Sequence, residues 1–248
     1  MSTVHLAIDA FLPLFFPERC PACDQWMGHD LGLCESCSAS LYPLGVACPT
    51  CAEPQDIPRA VTCLACRTKP PPFRRVLAPW RYGGELAVAI RRLKYGGPSG
   101  RGLAHVARPL GALLASAYED AVSDQDIVVP VPLHAARLRA RGFSQAQRIA
   151  EAARKQCRLA IQPTILPGIL ERTRATREQA GLSRAERRTN TAGAFLVPPR
   201  QAERVRGKNI LVVDDVVTTT ATSGACARAL LAAGATRVDI LALARADN

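Results

Sequence analysis

Apolar and polar positions alternate differently in the two parts of the chain. After Arg74, short β-branched or leucine runs take turns with helical periods. Val76–Tyr82 reads as a strand, Glu85–Leu93 as a helix and Leu103–Tyr118 as a second, more apolar helix. Asp126–Val131 predicts a buried strand, stopped by Pro130 and Pro132. A basic turn then leads into a helix from about Ser144 to Arg154, and Ile165–Leu170 suggests a short strand. Phe195–Val197 returns to strand, followed by Ile210–Val213, an unbroken apolar run suited to burial on both faces of a parallel sheet. An alanine-rich helix from Ser223 to Ala233, closed by Gly234, precedes a last strand, Arg237–Ala242. Strands alternating with helices predict an α/β domain with a doubly wound, mostly parallel sheet. Residues 171–192 are polar and strongly basic with no strand pattern. That is long for a loop inside a compact domain, and predicts a functional or mobile segment.

The first part of the chain is organised by cysteine. Four C-x-x-C pairs, Cys20/Cys23, Cys34/Cys37, Cys48/Cys51 and Cys63/Cys66, are separated by ten residues within the first two pairs and eleven within the last two. The near-equal spacing reads as an internal repeat, a double zinc ribbon. Two knuckles complete one tetrahedron of thiolates, leaving no open position, so two structural Zn2+ ions are expected. Sequential pairing of knuckles is favoured over an interleaved one. Small ribbons have little core, and metal binding supplies their folding energy. His5, His29, His105 and His134 are scattered, and the cysteines already fill the sites. Val4–Phe16 reads as a short amphipathic helix, and Thr68–Phe73, with three prolines, as an extended linker. The predicted division is 1–69, N-terminal helix and ribbons, and 74–248, the α/β domain.

Composition narrows the setting. No apolar run reaches the roughly 18–20 residues of a membrane span. The apolar N-terminus contains Asp9 and lacks a basic leader, so a cytoplasmic protein is expected. A formal charge of +11, mostly arginine, favours polyanions or phosphate-bearing substrates, or else reflects a solvated arginine-rich surface. Eight thiolates and two zinc ions lower it to about +7. Cys157 and Cys226 fall on helical faces and read as core thiols. Aromatic residues are few, which argues against strong single-strand binding by base stacking alone.

The chemistry converges on Asn209–Leu230. Here an apolar strand is followed by Asp214-Asp215, a hydroxyl-rich turn (Thr218, Thr219, Thr220, Ala221, Thr222) and a helix start. Open α/β sheets bind ligands at the carboxyl edge, and a helix N-terminus receives phosphate. Paired acids suit the hydroxyls of a ribose diol, or a magnesium ion near it. The same residues could also serve as ordinary caps. Two more basic segments stand at strand ends: the turn after Val131 and residues 171–192.

This stretch resembles the phosphoribosyl-pyrophosphate (PRPP) loop of type I phosphoribosyltransferases, with Thr220 where that loop carries glycine. Four features in order resemble the ComF family over about residues 8–245: the tandem knuckles, VPVPLHAARLRARGFSQA, ERTRATREQAGLSRAERR and the Asp-Asp/Thr loop. ComF proteins are bacterial zinc-ribbon proteins with a type I phosphoribosyltransferase domain, linked to DNA uptake in natural transformation. The resemblance implies a type I phosphoribosyltransferase-like fold with Asp214 and Asp215 on the ribose hydroxyls. It places Thr218, Thr219, Thr220, Ala221 and Thr222 around the 5-phosphate, and Pro132, Leu133, His134, Arg137 and Arg141 in a pyrophosphate loop. Arg172, Arg174, Gln179 and Arg187 would belong to a flexible hood. Lys94-Tyr95 matches a family element, and Ser144 stands where many members have asparagine. The implied ligands are PRPP or a related ribose phosphate with Mg2+, and the implied partners are single-stranded DNA and a DNA-translocation helicase. Three functions follow as alternatives: single-stranded DNA handling, phosphoribosyl transfer to an unspecified acceptor, and structural docking of a translocation partner.

Overall fold

In the computed structural model, which describes residues 18–28, 32–98, 101–174 and 193–247, the cysteine pairs build two copies of one unit. In the first, Cys20 leaves strand β1 (Glu18–Arg19), which pairs antiparallel with β2 (Trp26–Gly28). The Cys20 N–H donates to the Gln25 carbonyl (2.7 Å) and the Asp24 N–H to the Cys20 carbonyl (2.9 Å). Asp24 closes the knuckle with φ at 70°. In the second copy the Cys48 N–H donates to the Glu53 carbonyl (2.8 Å) and the Ala52 N–H to the Cys48 carbonyl (2.9 Å), with Ala52 φ at 57°. The later pair of each copy opens a short helix, α1 (Glu35–Ala39) after N-cap Cys34 and α2 (Leu64–Thr68) after N-cap Cys63. The repeat inferred from spacing is therefore a repeat of backbone geometry.

The α/β part follows. Strands β3 (Val76–Leu77) and β4 (Trp80–Arg81) precede α3 (Gly84–Tyr95). A 3-10 turn at Ala104–Val106 runs into α4 (Ala107–Val122), then β5 (Ile127–Pro130), α5 (Ala135–Arg141) and α6 (Gln145–Gln156). Next come β6 (Thr164–Ile165), β7 (Glu171–Arg172) and β8 (Phe195–Leu196). A turn at Pro199–Gln201 leads into α7 (Ala202–Val205), and the chain ends with β9 (Asn209–Val217), α8 (Ala221–Ala232) and β10 (Arg237–Arg245). The sheet runs β3-β10-β9-β5-β6, with β4 also on β10, and every pairing in it is parallel. The doubly wound parallel sheet expected from the sequence pattern is present.

The two-residue period of β9 divides the core. Leu211 and Val213 face α3, α4 and α6 through Ile90, Leu93, Leu110, Leu114 and Ile149, whereas Ile210 and Val212 face α8 through Cys226, Ala227 and Leu230. Cys226 is fully buried, as a core thiol should be.

Several boundaries differ from expectation. The expected strand 76–82 is broken at Ala78-Pro79, because proline has no N–H for the ladder; its two halves pair the same strand. The basic turn after Val131 is a helix, α5, ended by Gly142 at φ 90°. Residues Leu166–Leu170 continue no strand, and Gly168 turns away at φ 86°. Glu171–Arg172, read as strandless, pairs antiparallel with Phe195–Leu196. Strands β9 and β10 each extend beyond their apolar runs. Asp214 and Asp215 therefore lie within a strand, fixed by ladder pairing such as Asp214↔Ala242. The expected N-terminal helix lies outside the described residues, as do Gln179 and Arg187 of the expected hood.

Candidate ribose-phosphate site

At the carboxyl edge of the sheet, β9 ends beside β5, and a cavity of about 400 Å³ opens between them. Asp214, Asp215, Thr218 and Thr222 line it, joined by Pro132, Leu133, Arg137 and Arg141 from the segment after β5 and by Arg172 from β7. Residues from three separate sequence motifs thus share one space. Lys94, Tyr95, Gln145 and Tyr82 complete much of the wall.

A connected set of polar groups holds the acid pair. The Lys94 ammonium forms an ion pair with Asp215. The Gln145 amide donates to Asp215 Oδ1 (3.2 Å), and Arg141 Nη1 donates to Gln145 Oε1 (2.5 Å). Arg141 Nε also donates to the Lys94 carbonyl (3.1 Å), and its guanidinium lies over the Tyr95 ring, 5.2 Å from the centroid. The two carboxyls differ sharply as a result. Burial, then the neighbouring Asp215 charge, holds the Asp214 pKa well above the ordinary carboxylate range. Burial acts the same way on Asp215, but the Lys94 ammonium outweighs it and the pKa is lowered. Burial opposes the charge on Lys94 too; its carboxylate partner raises the pKa and keeps it cationic.

The phosphate-suited part is the turn into α8. Its helical ladder begins with the Gly224 N–H donating to the Thr220 carbonyl (2.8 Å). The N–H groups ahead of it have no acceptor within the helix and carry the positive end of its dipole. Thr219 Oγ1 is buried and has no partner among the described residues. Thr220 is the N-cap and adopts left-handed backbone, φ 58° and ψ 6°. A glycine would reach that conformation freely; a β-branched residue is strained there. Thr218 and Thr222 reach the cavity, whereas Thr219, Thr220 and Ala221 do not line it.

The basic groups fall into two kinds. Arg137 and Arg172 both line the cavity: burial lowers the Arg172 pKa, and the Arg137 charge lowers it further. Arg172 also stacks over Phe195, 5.3 Å from the ring centroid. Two cations lining one cavity suit a multivalent anion. Arg141, in contrast, supports Lys94 and Gln145. Arg174 is not part of the cavity wall. His134, expected in the pyrophosphate loop, is the N-cap of α5, its Nδ1 accepting from the Ala136 N–H (3.3 Å). Gln145 escaped single-residue reading because a glutamine at a helix start is unremarkable by propensity; its signal was its place in the RGFSQA motif. Lys94 lies 120 residues from the acids it serves, on an element whose periodicity says nothing of charge pairing.

The thiols settle the knuckle pairing as sequential. Cys20, Cys23, Cys34 and Cys37 form one group, and Cys48, Cys51, Cys63 and Cys66 the other, with all sulfurs in a group within 4.8 Å of one another. A tetrahedron with Zn–S bonds of about 2.3 Å requires sulfurs roughly 3.8 Å apart. The Cys23–Cys34 and Cys51–Cys63 separations are both 3.6 Å. Donors favour the thiolate at Cys34 and Cys48, whereas burial pushes the Cys37, Cys51 and Cys66 thiols up. The Ser36 hydroxyl, then the Cys37 N–H, brings the Cys34 pKa down to about 6. Burial opposes the charge on Cys48, but the Cys63, Cys51 and Thr50 N–H groups outweigh it and bring the pKa to about 7. Both groups fit structural zinc.

Fold and sites together define a double-zinc-ribbon protein with a doubly wound α/β domain. Residues 11–67 match the double zinc ribbon domain family. The chain is 31% identical over 221 residues to the DNA utilization protein YhgH of Escherichia coli O157:H7, covering 88% of this chain and 92% of that one. It is 27% identical to Competence protein F of Haemophilus influenzae over 94% and 99% of the two chains. It is 28% identical to Competence protein ComFC of Bacillus subtilis over 83% and 80%. A solved glutamine PRPP amidotransferase from Bacillus subtilis aligns with 62% of this chain and 30% of its own, at 22% identity and a TM-score of 0.36. The chain belongs to the ComF family.

Proposed function

We propose that the cavity binds PRPP or a related ribose phosphate, and that this binding serves the handling of single-stranded DNA during DNA uptake. One observation carries the first part: an acid pair, an open helix N-terminus with threonines, and the Arg137–Arg172 pair face one cavity. In this reading Asp214 and Asp215 accept from the ribose hydroxyls, and the turn from Thr218 to Thr222 holds the 5-phosphate. Arg137 and Arg172 meet the pyrophosphate, with Arg174, Gln179 and Arg187 in the covering segment. Among the described residues, the three-ligand clusters suited to a metal are the two cysteine groups, and Lys94 already neutralises Asp215. A magnesium ion brought in with PRPP would neutralise phosphate charge beside the acid pair. The relatives' names, DNA utilization and competence proteins, support the second part, and the formal charge of +11 suits a nucleic-acid partner.

Isothermal titration of the full chain with PRPP and magnesium tests the site. Saturable binding is expected, and loss of it in Asp214→Asn/Asp215→Asn. A wild type that takes no heat from PRPP rejects the reading.

Transfer is a second reading, favoured by the two arginines that line the cavity. An acceptor nucleophile would form a bond to ribose C1 as the C1–O bond to pyrophosphate breaks, and Arg137 and Arg172 would receive the leaving charge. Pyrophosphate release that requires an added acceptor would establish it.

A further inference from the structure

We propose that Arg245 couples the second zinc ribbon to the phosphate turn, so that metal held by Cys48, Cys51, Cys63 and Cys66 sets the backbone of Val217–Gly224. Arg245 closes β10, where it is paired with Val217 of β9 and Arg81 of β4. Its side chain is 1% exposed. A buried guanidinium is tolerated only when its donors are satisfied, and here they reach three segments. Nε donates to the Cys51 carbonyl (3.2 Å), and Nη2 forms an ion pair with Glu53. Nη1 donates to the carbonyls of Val217 (3.3 Å), Thr218 and Ala246 (2.6 Å).

Each end of this bridge matters. Cys51 is itself one of the metal-suited thiols, so its carbonyl sits where the knuckle holds it. Thr218 begins the turn that faces the cavity. The planar fork of arginine fixes several acceptors at once, which lysine cannot do. The second ribbon is also joined to the sheet edge near this point. The Val76 N–H donates to the Thr50 carbonyl (2.9 Å), and the Leu44 N–H to the Pro79 carbonyl (2.9 Å). The first ribbon meets the α/β part elsewhere. Met27, Leu33 and Cys37 pack into the core on the α3 and α4 side, and Asp24 pairs with Arg92 of α3 (3.5 Å). Loss of metal from the second group releases the Cys51 carbonyl, and Arg245 then no longer holds the Thr218 carbonyl in place. Coupling of this kind is reciprocal: a ligand that fixes the turn slows metal release from the second group.

The consequence for ligand binding rests on the ribose-phosphate reading; the coupling itself does not. Amide hydrogen exchange on the zinc-loaded full chain tests it, with zinc content measured alongside. In Cys63→Ser, zinc falls by one equivalent and amides of Val217–Gly224 exchange about tenfold faster. In Cys23→Ser, zinc also falls by one equivalent, and those amides stay within about twofold of wild type. Glu53→Gln keeps both metals and still exchanges several-fold faster in the turn; it decides the matter if Cys63→Ser does not fold. Unchanged exchange in Glu53→Gln, or equal acceleration in Cys23→Ser and Cys63→Ser, overturns the proposal. Zinc-dependent exchange together with absent PRPP binding would keep the coupling and remove the ligand reading.

Discussion

Burial and a neighbouring carboxylate raise the Asp214 pKa well above the ordinary carboxylate range, because they disfavour a second charge. For stability the sign is set by that direction: the fold favours the neutral form. The contribution is complete below the ordinary carboxylate range and falls as pH rises through the raised pKa. For ligand binding the sign is opposite, because ribose hydroxyls need acceptor oxygens. Affinity for PRPP is expected to rise with pH through that range, with proton release on binding. Titrations in two buffers of different ionisation enthalpy measure it, and proton uptake would reverse the assignment. Thr220 sets a second expectation. Its left-handed backbone strains a β-branched residue by roughly 1–2 kcal/mol, part of which glycine returns to the flexible unfolded chain. Thr220→Gly should therefore stabilise the protein by about 1 kcal/mol, seen as a higher midpoint of unfolding. A lower midpoint would mean that the hydroxyl, which donates to the Thr219 carbonyl (2.6 Å), contributes more than the strain removes.

The α4–α6 contact is the element-scale counterpart. A Cβ on Gly111 would lie 2.4 Å from Ala152 Cβ and 2.7 Å from the Ala153 nitrogen. Gly111→Ala is expected to destabilise by roughly 1–3 kcal/mol through overpacking, despite the better helix propensity of alanine. Chemical denaturation checks this, and a stabilised variant would show that the helices separate freely. Elements were legible where apolar period alone decided them, as in α3, α4, α6 and the heart of β9. They were not legible where tertiary pairing decided. Glu171–Arg172 becomes strand only because Phe195–Leu196, distant in sequence, supplies the ladder. The last strand, expected over Arg237–Ala242, runs on to Arg245 and carries two charged residues, Asp239 and Arg245, that are buried and paired. Asp239 accepts from Arg74 Nε (2.8 Å) and Gln125 Nε2 (3.2 Å), partners that no local pattern announces. The acid pair and the cysteines were legible because their spacing is itself the chemistry. The roles of Lys94 and Gln145 were not, because ion pairing across the cavity leaves no periodic trace.

At the scale of the molecule, the two cysteine groups stand on either side of the sheet's packing, the first in the α3–α4 core and the second beside the phosphate turn. Among the described residues no helix is long and apolar enough to cross a membrane. The excess of arginine predicts DNA binding held by phosphate contacts. Affinity for single-stranded DNA should fall steeply with salt, in proportion to the number of phosphates neutralised, and absence of binding at low salt would exclude that role. The cavity's ligand is tested most directly by separating its two halves. Calorimetric titration of the zinc-loaded chain with PRPP, ribose 5-phosphate and pyrophosphate should show PRPP binding most tightly and both fragments competing with it. Thr222→Val should weaken ribose 5-phosphate and leave pyrophosphate unchanged. PRPP that fails to bind, or binds equally well to Asp214→Asn/Asp215→Asn, would contradict the account.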